Sequence, residues 1–116
     1  MDIKTLQKKY IKFRDKRDWK QFHKPKDLAI SLALEAAEVL EHFQWKNDSE
    51  VEEYIKSEKL EHLKYEVADV AIYLFLLAHE LGIDLEKAYL DKMRKNDKKY
   101  PVEKAKGSSR KYTEYE

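Results

Sequence analysis

Two glycines and two prolines are the only strong backbone breakers in 116 residues. A turn-rich β fold needs such residues at most of its reversals, so their scarcity points to long helices joined by few turns. The apolar pattern agrees. Ile3, Leu6, Tyr10 and Phe13 recur at three- and four-residue spacing, which predicts a first helix over 3–17. "RDWKQFHKP" interrupts that pattern, and Pro25 suits the first turn of a second helix, where a missing N–H costs nothing. This helix is predicted to reach about Trp45. Ser49 with Glu52 three residues on reads as a capping box, so a short extra helix is expected near 50–56. The next helix is expected from Glu58 to Gly82, whose glycine is a natural left-handed stop. Asp84 can cap a last helix carrying Leu85, Ala88, Tyr89 and Met93, and Tyr100-Pro101 should end it. The expectation is one all-α domain of four-helix-bundle type over 1–116, with an irregular C-terminal tail over 101–116.

A chain of this length buries only a modest core, so association of helices between subunits would help it. The absence of cysteine removes disulfides and thiolate metal sites. The charged start MDIKTLQKKY has no apolar segment of the signal-peptide kind, and no run approaches the roughly 18–20 apolar residues of a membrane span. A cytoplasmic protein with no membrane partner is expected. Net charge is near zero but unevenly spread. Residues 1–24 carry nine bases against three acids, 91–111 again nine against three, and 25–90 fifteen acids against six bases. The ends suit an anion and the middle suits a cation, although solvated helix faces give the same counts.

The second helix carries a discord. From Leu28 to Leu40 nearly every residue is apolar or small, except Ser31, Glu35 and Glu38. Carboxylates are rarely buried without a partner. Glu35 and Glu38 are i and i+3, so they leave one helix face one turn apart. "EVADVAIYLFLLA" repeats the pattern, with Glu66 and Asp69 at i and i+3 and Tyr73 a turn further on. In an antiparallel bundle these stripes would face one another, and four carboxylates at low dielectric repel strongly. Protons or cations must resolve this. An all-oxygen set favours Mg²⁺ first and Mn²⁺ second. Zinc fits less well, and a ferritin-like di-iron site wants Glu-x-x-His, which is absent. Buried salt bridges to Lys92 or Arg94 are the competing reading. Glu41, three residues after Glu38, reads as the polar edge.

Mg²⁺ shares its sphere with substrate phosphates, and a carboxylate beside it can act as general base. Lys92 and Asn96 are i and i+4 on the last helix, and suit phosphate contact or an exposed basic face equally. Trp19, Phe22 and His23 lie at the break between two helices, with Trp45 at the end of the second. Such aromatic groups can stack a nucleobase or plug the core.

The stretches "RDWKQFHKP", "LEAAEVLEHFQW", "EVADVAIYLFLLA", "KMRKNDKKYP" and "SSRKYTE" together span most of the chain from Arg17 to Glu114. In them the chain resembles the MazG-like all-α nucleoside-triphosphate pyrophosphohydrolases, most closely the dCTP pyrophosphatase branch. The family signature, a Glu-x-x-Glu helix followed by a Glu-x-x-Asp helix, is met by Glu35/Glu38 and Glu66/Asp69. The resemblance implies cleavage between the α- and β-phosphates, releasing a nucleoside monophosphate and pyrophosphate, with dCTP or a modified dCTP as a candidate substrate. It implies Mg²⁺ held by Glu35, Glu38, Glu66 and Asp69; any of these carboxylates not fully engaged with the metal can be the general base, and Glu38 is the one selected here. It implies a nucleobase pocket at Trp19, His23, Trp45 and Tyr73, and triphosphate and sugar contacts at Lys92 and Asn96. It further implies a homo-oligomer, a tetramer or a dimer. One departure stands out: the branch has glycines around the first acid pair, where "LEAAEV" has alanines. The alternative is a non-catalytic helical nucleotide- or nucleic-acid-binding module with a structural metal site. No basic recognition motif supports nucleic acid as a partner.

Overall fold

The computed structural model describes residues 1–115; Glu116, the last residue of the expected tail, lies outside them. The elements in chain order are helices α1 (Ile3–Asp15), α2 (Pro25–Glu41), α3 (Asp48–Ile55), α4 (Leu60–Glu80), α5 (Leu85–Lys99) and α6 (Val102–Ala105). One-turn 3-10 segments occupy Lys20–Phe22 and Tyr112–Glu114. No strand occurs among the described residues, so the all-α class holds. The chain forms two compact units, Met1–Ile83 and Asp84–Glu116.

In the first unit α4 is the spine, with α2 and α1 packed against it. The Asp2 carboxylate caps α1 by accepting from the Thr5 N–H at 2.8 Å. Along α1 the half-buried positions Ile3, Gln7, Tyr10 and Ile11 and the buried Arg14 make one stripe at helical spacing. Arg14 is 2% exposed and donates to Glu80 Oε1 at 2.8 Å, with Asp15 at 3.3 Å on its other side. A side chain that counts as one of the nine N-terminal bases is therefore a buried tie between α1 and the far end of α4. The Gln7 amide adds a second tie, donating to the Phe75 carbonyl at 2.8 Å.

Pro25 opens α2 as expected. The helix stops at Glu41 rather than near Trp45: the N–H groups of His42 and Phe43 bond back only three residues, to Val39 and Leu40, and Trp45 at φ +67° lies outside a right-handed helix. The chain then re-enters helix two residues earlier than expected. Asn47, not Ser49, caps α3: its side chain accepts from the Glu50 N–H at 2.8 Å and Glu50 accepts from the Asn47 N–H. α4 runs to Glu80, and Gly82 at φ +68° reverses the chain. Among the described residues the buried apolar side chains are few: Leu28, Leu63, Leu76 and Ala78. Large apolar residues such as Ile30, Leu34, Leu40 and Val67 stand more than half exposed.

In the second unit the Asp84 carboxylate accepts from the Lys87 N–H at 3.2 Å and starts α5. The segment after Pro101 is more ordered than an irregular tail. It folds into α6 and a 3-10 turn, and sets Tyr112 and Tyr115 edge-on to Tyr100, each with ring centroids 6.0 Å apart. No described helix is long and apolar enough to cross a membrane.

Candidate active site

α2 and α4 run antiparallel: His42, just past the end of α2, meets Glu66 in the early part of α4, while Glu35, two turns back, faces Tyr73. This pairing brings Glu35, Glu38, Glu66 and Asp69 within electrostatic range of one another. Burial raises the Glu35 carboxyl above the usual carboxylate range. The Glu38 carboxylate, near enough to share a proton with it, raises it further, and so do the negative charges of Asp69 and Glu66. Glu35 Oε2 is buried with no hydrogen-bond donor. Tyr73, on the same stripe of α4, is raised by burial first and then by Glu35, Asp69 and Glu38. Glu41 is exposed, the polar edge of α2.

Two groups join this cluster that the acid spacing does not reveal. Tyr10, from α1, is raised by burial, then by Tyr73 and Asp69. His42 hydrogen-bonds Glu66 through Nε2 and Tyr54, on α3, through Nδ1. A scan for Glu-x-x-His passes over His42, because it follows Glu38 at i+4 rather than i+3; i+4 is equally a same-face spacing.

The donor set suits a divalent cation. A buried carboxylate oxygen without a donor, within reach of three further carboxylates, is what a hard cation satisfies. As placed, no three His, Asp or Glu side chains among the described residues stand close enough together to hold a metal ion. The four acids face one another at electrostatic range, and their oxygen-only chemistry fits Mg²⁺ or Mn²⁺.

His23 sits by Arg14 and Glu80: burial lowers its pKa, the guanidinium lowers it further, Glu80 opposes, and Nδ1 is buried without a partner. Glu80 lies eleven residues beyond Asp69, about 16 Å along α4. Trp19 packs edge-on against Phe13 at 5.7 Å, and Phe13 lies 5.1 Å from Tyr10. The Trp45 side chain is 91% exposed. In the second unit Lys92 and Asn96 are exposed on α5, and Arg94 pairs with Asp91 at 2.6 Å.

Beside the first-unit cluster, Leu6, Tyr10, Phe13, Ala71, Ile72 and Phe75 line an apolar cavity of about 430 Å³ between α1 and α4.

Residues 30–115 match the model of the MazG-like family. The chain is 40% identical over 114 residues to human dCTP pyrophosphatase 1, and 37% identical over 113 residues to the rat protein of that name. Each alignment covers 97% of this chain and 66% of the relative, so the chain spans just under two thirds of those proteins' length. Among solved structures it is similar to a pyrophosphatase from Archaeoglobus fulgidus, with a TM-score of 0.79 and 40% identity over 84% of this chain and 91% of that one.

Proposed function

This chain belongs to the MazG-like family, and from that premise we propose that it is a Mg²⁺-dependent nucleoside-triphosphate pyrophosphohydrolase. It cleaves between the α- and β-phosphates, with dCTP or a modified dCTP as the candidate substrate. The observation that carries this reading is the acid cluster of α2 and α4, in which Glu35 keeps a buried oxygen without a donor beside Glu38, Glu66 and Asp69. The relatives' names, dCTP pyrophosphatase and pyrophosphatase, support it.

When bound at these carboxylates, Mg²⁺ supplies the positive charge that a polyphosphate needs and lowers the cost of deprotonating water. Glu35, Glu38, Glu66 and Asp69 would hold the ion, with Glu38 the least engaged. Glu38, the exposed member, takes the proton of the water that attacks the α-phosphorus. The bond from that phosphorus to the α–β bridging oxygen breaks, and pyrophosphate leaves. Lys92 and Asn96 meet the triphosphate and sugar, and Tyr73, Trp19, His23 and Trp45 serve the nucleobase. His23 lies by Glu80, about 16 Å along α4 from Asp69, so the reading includes self-association that brings it to a neighbour's cluster. The exposed Ile30, Leu34, Leu40 and Val67 supply apolar surface for a homo-oligomer, a dimer or a tetramer. Cytoplasmic nucleotide-pool cleaning is the role that fits such a reaction.

The test is pyrophosphate release from a panel of ribo-, deoxyribo- and modified triphosphates, with and without Mg²⁺. Release that needs Mg²⁺, and is lost in Glu38→Gln and Asp69→Asn proteins folded by circular dichroism, is the expected result. Turnover of no triphosphate, or unchanged rates in both variants, overturns the proposal.

A further inference from the structure

Of the four acids, Glu66 is the one with a hydrogen bond to a side chain outside the cluster of carboxylates. His42 follows the last turn of α2, its side chain 12% exposed, and its Nε2 hydrogen-bonds Glu66 Oε2. Its Nδ1 lies 2.5 Å from the Tyr54 hydroxyl. A carboxylate only accepts, so in the neutral imidazole Nε2 carries the proton toward Glu66 and Nδ1 accepts from the Tyr54 O–H. Tyr54 is itself held. The Lys46 and Lys59 ammonium groups stand 4.6 and 5.5 Å from its ring centroid, and its ring meets the His42 ring edge-on at 5.7 Å. The result is a relay from α3 through the end of α2 to α4: Tyr54 fixes the ring of His42, and His42 fixes the carboxylate of Glu66.

We propose that His42 and Tyr54 are positioning residues that orient Glu66 toward a divalent cation, leaving its other oxygen as the ligand. Groups that hydrogen-bond a metal's ligands restrict their orientation before the ion arrives, and losing one costs about 10–100-fold in metal affinity or activity. The inference rests on the Mg²⁺ reading above, and it explains the short helix α3 as the element that carries Tyr54.

The experiment is calorimetric titration of the nucleotide-free protein with MgCl₂ and with MnCl₂. It compares the parent with His42→Leu, His42→Gln and Tyr54→Phe, with melting in EDTA as the folding control. His42→Leu is expected to weaken binding about 10–100-fold. His42→Gln, whose amide can still donate to Glu66, recovers part of that loss. Tyr54→Phe removes one hydroxyl and moves affinity in the same direction by less. The Mg²⁺ concentration giving half-maximal rate rises by the same factors. If His42→Leu does not fold, Tyr54→Phe decides. Parent-like affinity in the folded variants overturns the positioning role while leaving the enzyme reading intact. Absence of Mg²⁺ and Mn²⁺ binding by the parent itself overturns the Mg²⁺ reading and this inference with it.

Discussion

Replacing Glu35 by Gln should stabilise the metal-free protein while abolishing its activity. Glu35 and Glu38 are i and i+3 on α2, a spacing of about 5–6 Å between side chains. Two unit charges at that separation repel by about 3 kcal/mol at an effective permittivity of about 20, and by about 0.7 kcal/mol in bulk water. Glu38 is exposed and Glu35 half-buried, so about 1–2 kcal/mol is the expected gain at pH 8. The pH dependence has a definite sign. The folded-state pKa of Glu35 lies above its ordinary value of 4.5, so the folded protein binds the extra proton. Its contribution to stability is therefore greatest below 4.5, falls as pH rises toward the folded-state value, and is flat beyond. Gln does not titrate, so the gap between variant and parent opens as pH rises through this window. The assay is urea or thermal unfolding in EDTA from pH 4 to 8 at fixed protein concentration, since the proposed self-association would make melting concentration-dependent. Adding Mg²⁺ should reverse the order, stabilising the parent and leaving the variant unmoved. A Glu35→Gln protein no more stable than the parent at pH 8, or one with the parent's pH slope, refutes the like-charge cluster.

Arg14→Met should cost about 2–3 kcal/mol, less than a fully buried pair because Glu80 is 21% exposed; urea unfolding measures it, and a loss below about 0.5 kcal/mol removes the tie from the account. Trp45→Gly should leave stability within about 1 kcal/mol of the parent, on the favourable side, because φ +67° strains a tryptophan and its side chain is 91% exposed. With the ring serving the nucleobase, KM for the triphosphate should rise in steady-state assays; an unchanged KM removes Trp45 from substrate binding. His23 has a folded-state pKa below 6.5, so its contribution to stability is complete above 6.5 and is lost as pH falls below it. His23→Gln should flatten the unfolding profile between pH 5 and 7, and an unaltered profile places the ring in solvent.

The helices were legible because their apolar spacing is local information, and the acid cluster because carboxylates inside apolar runs are costly without a partner. Helix ends were less so. Asn47–Glu50 and Ser49–Glu52 both satisfy the capping-box pattern, and the structure chooses the first because the chain leaves Trp45 already extended at Asn47, with φ −83° and ψ 174°. Nothing local announces φ +67° at a tryptophan. Arg14 reads as one more surface base because its partner, Glu80, lies 66 residues away. His42 was hidden by a different cause: its meaning depends on Tyr54 and Glu66, on two other helices that only tertiary packing brings to it.

The two ends of α4 treat buried charge in opposite ways. At the C-terminal end Glu80 receives the guanidinium of Arg14, and the result is an ion pair that joins two helices. The fold can therefore deliver a cation to a half-buried carboxylate of this helix. At the other end Glu66 receives a histidine instead, and Glu35 faces three acids with one buried oxygen lacking any donor. Packing alone gives no reason for that arrangement, since an amide at position 35 would remove the repulsion and keep the shape. A requirement to bind a divalent cation gives one. In the Mg²⁺ reading proposed above, the unpaired charge that lowers stability in the free protein is the same charge that would gather the ion, so the loss in stability and any affinity for metal should disappear together in Glu35→Gln.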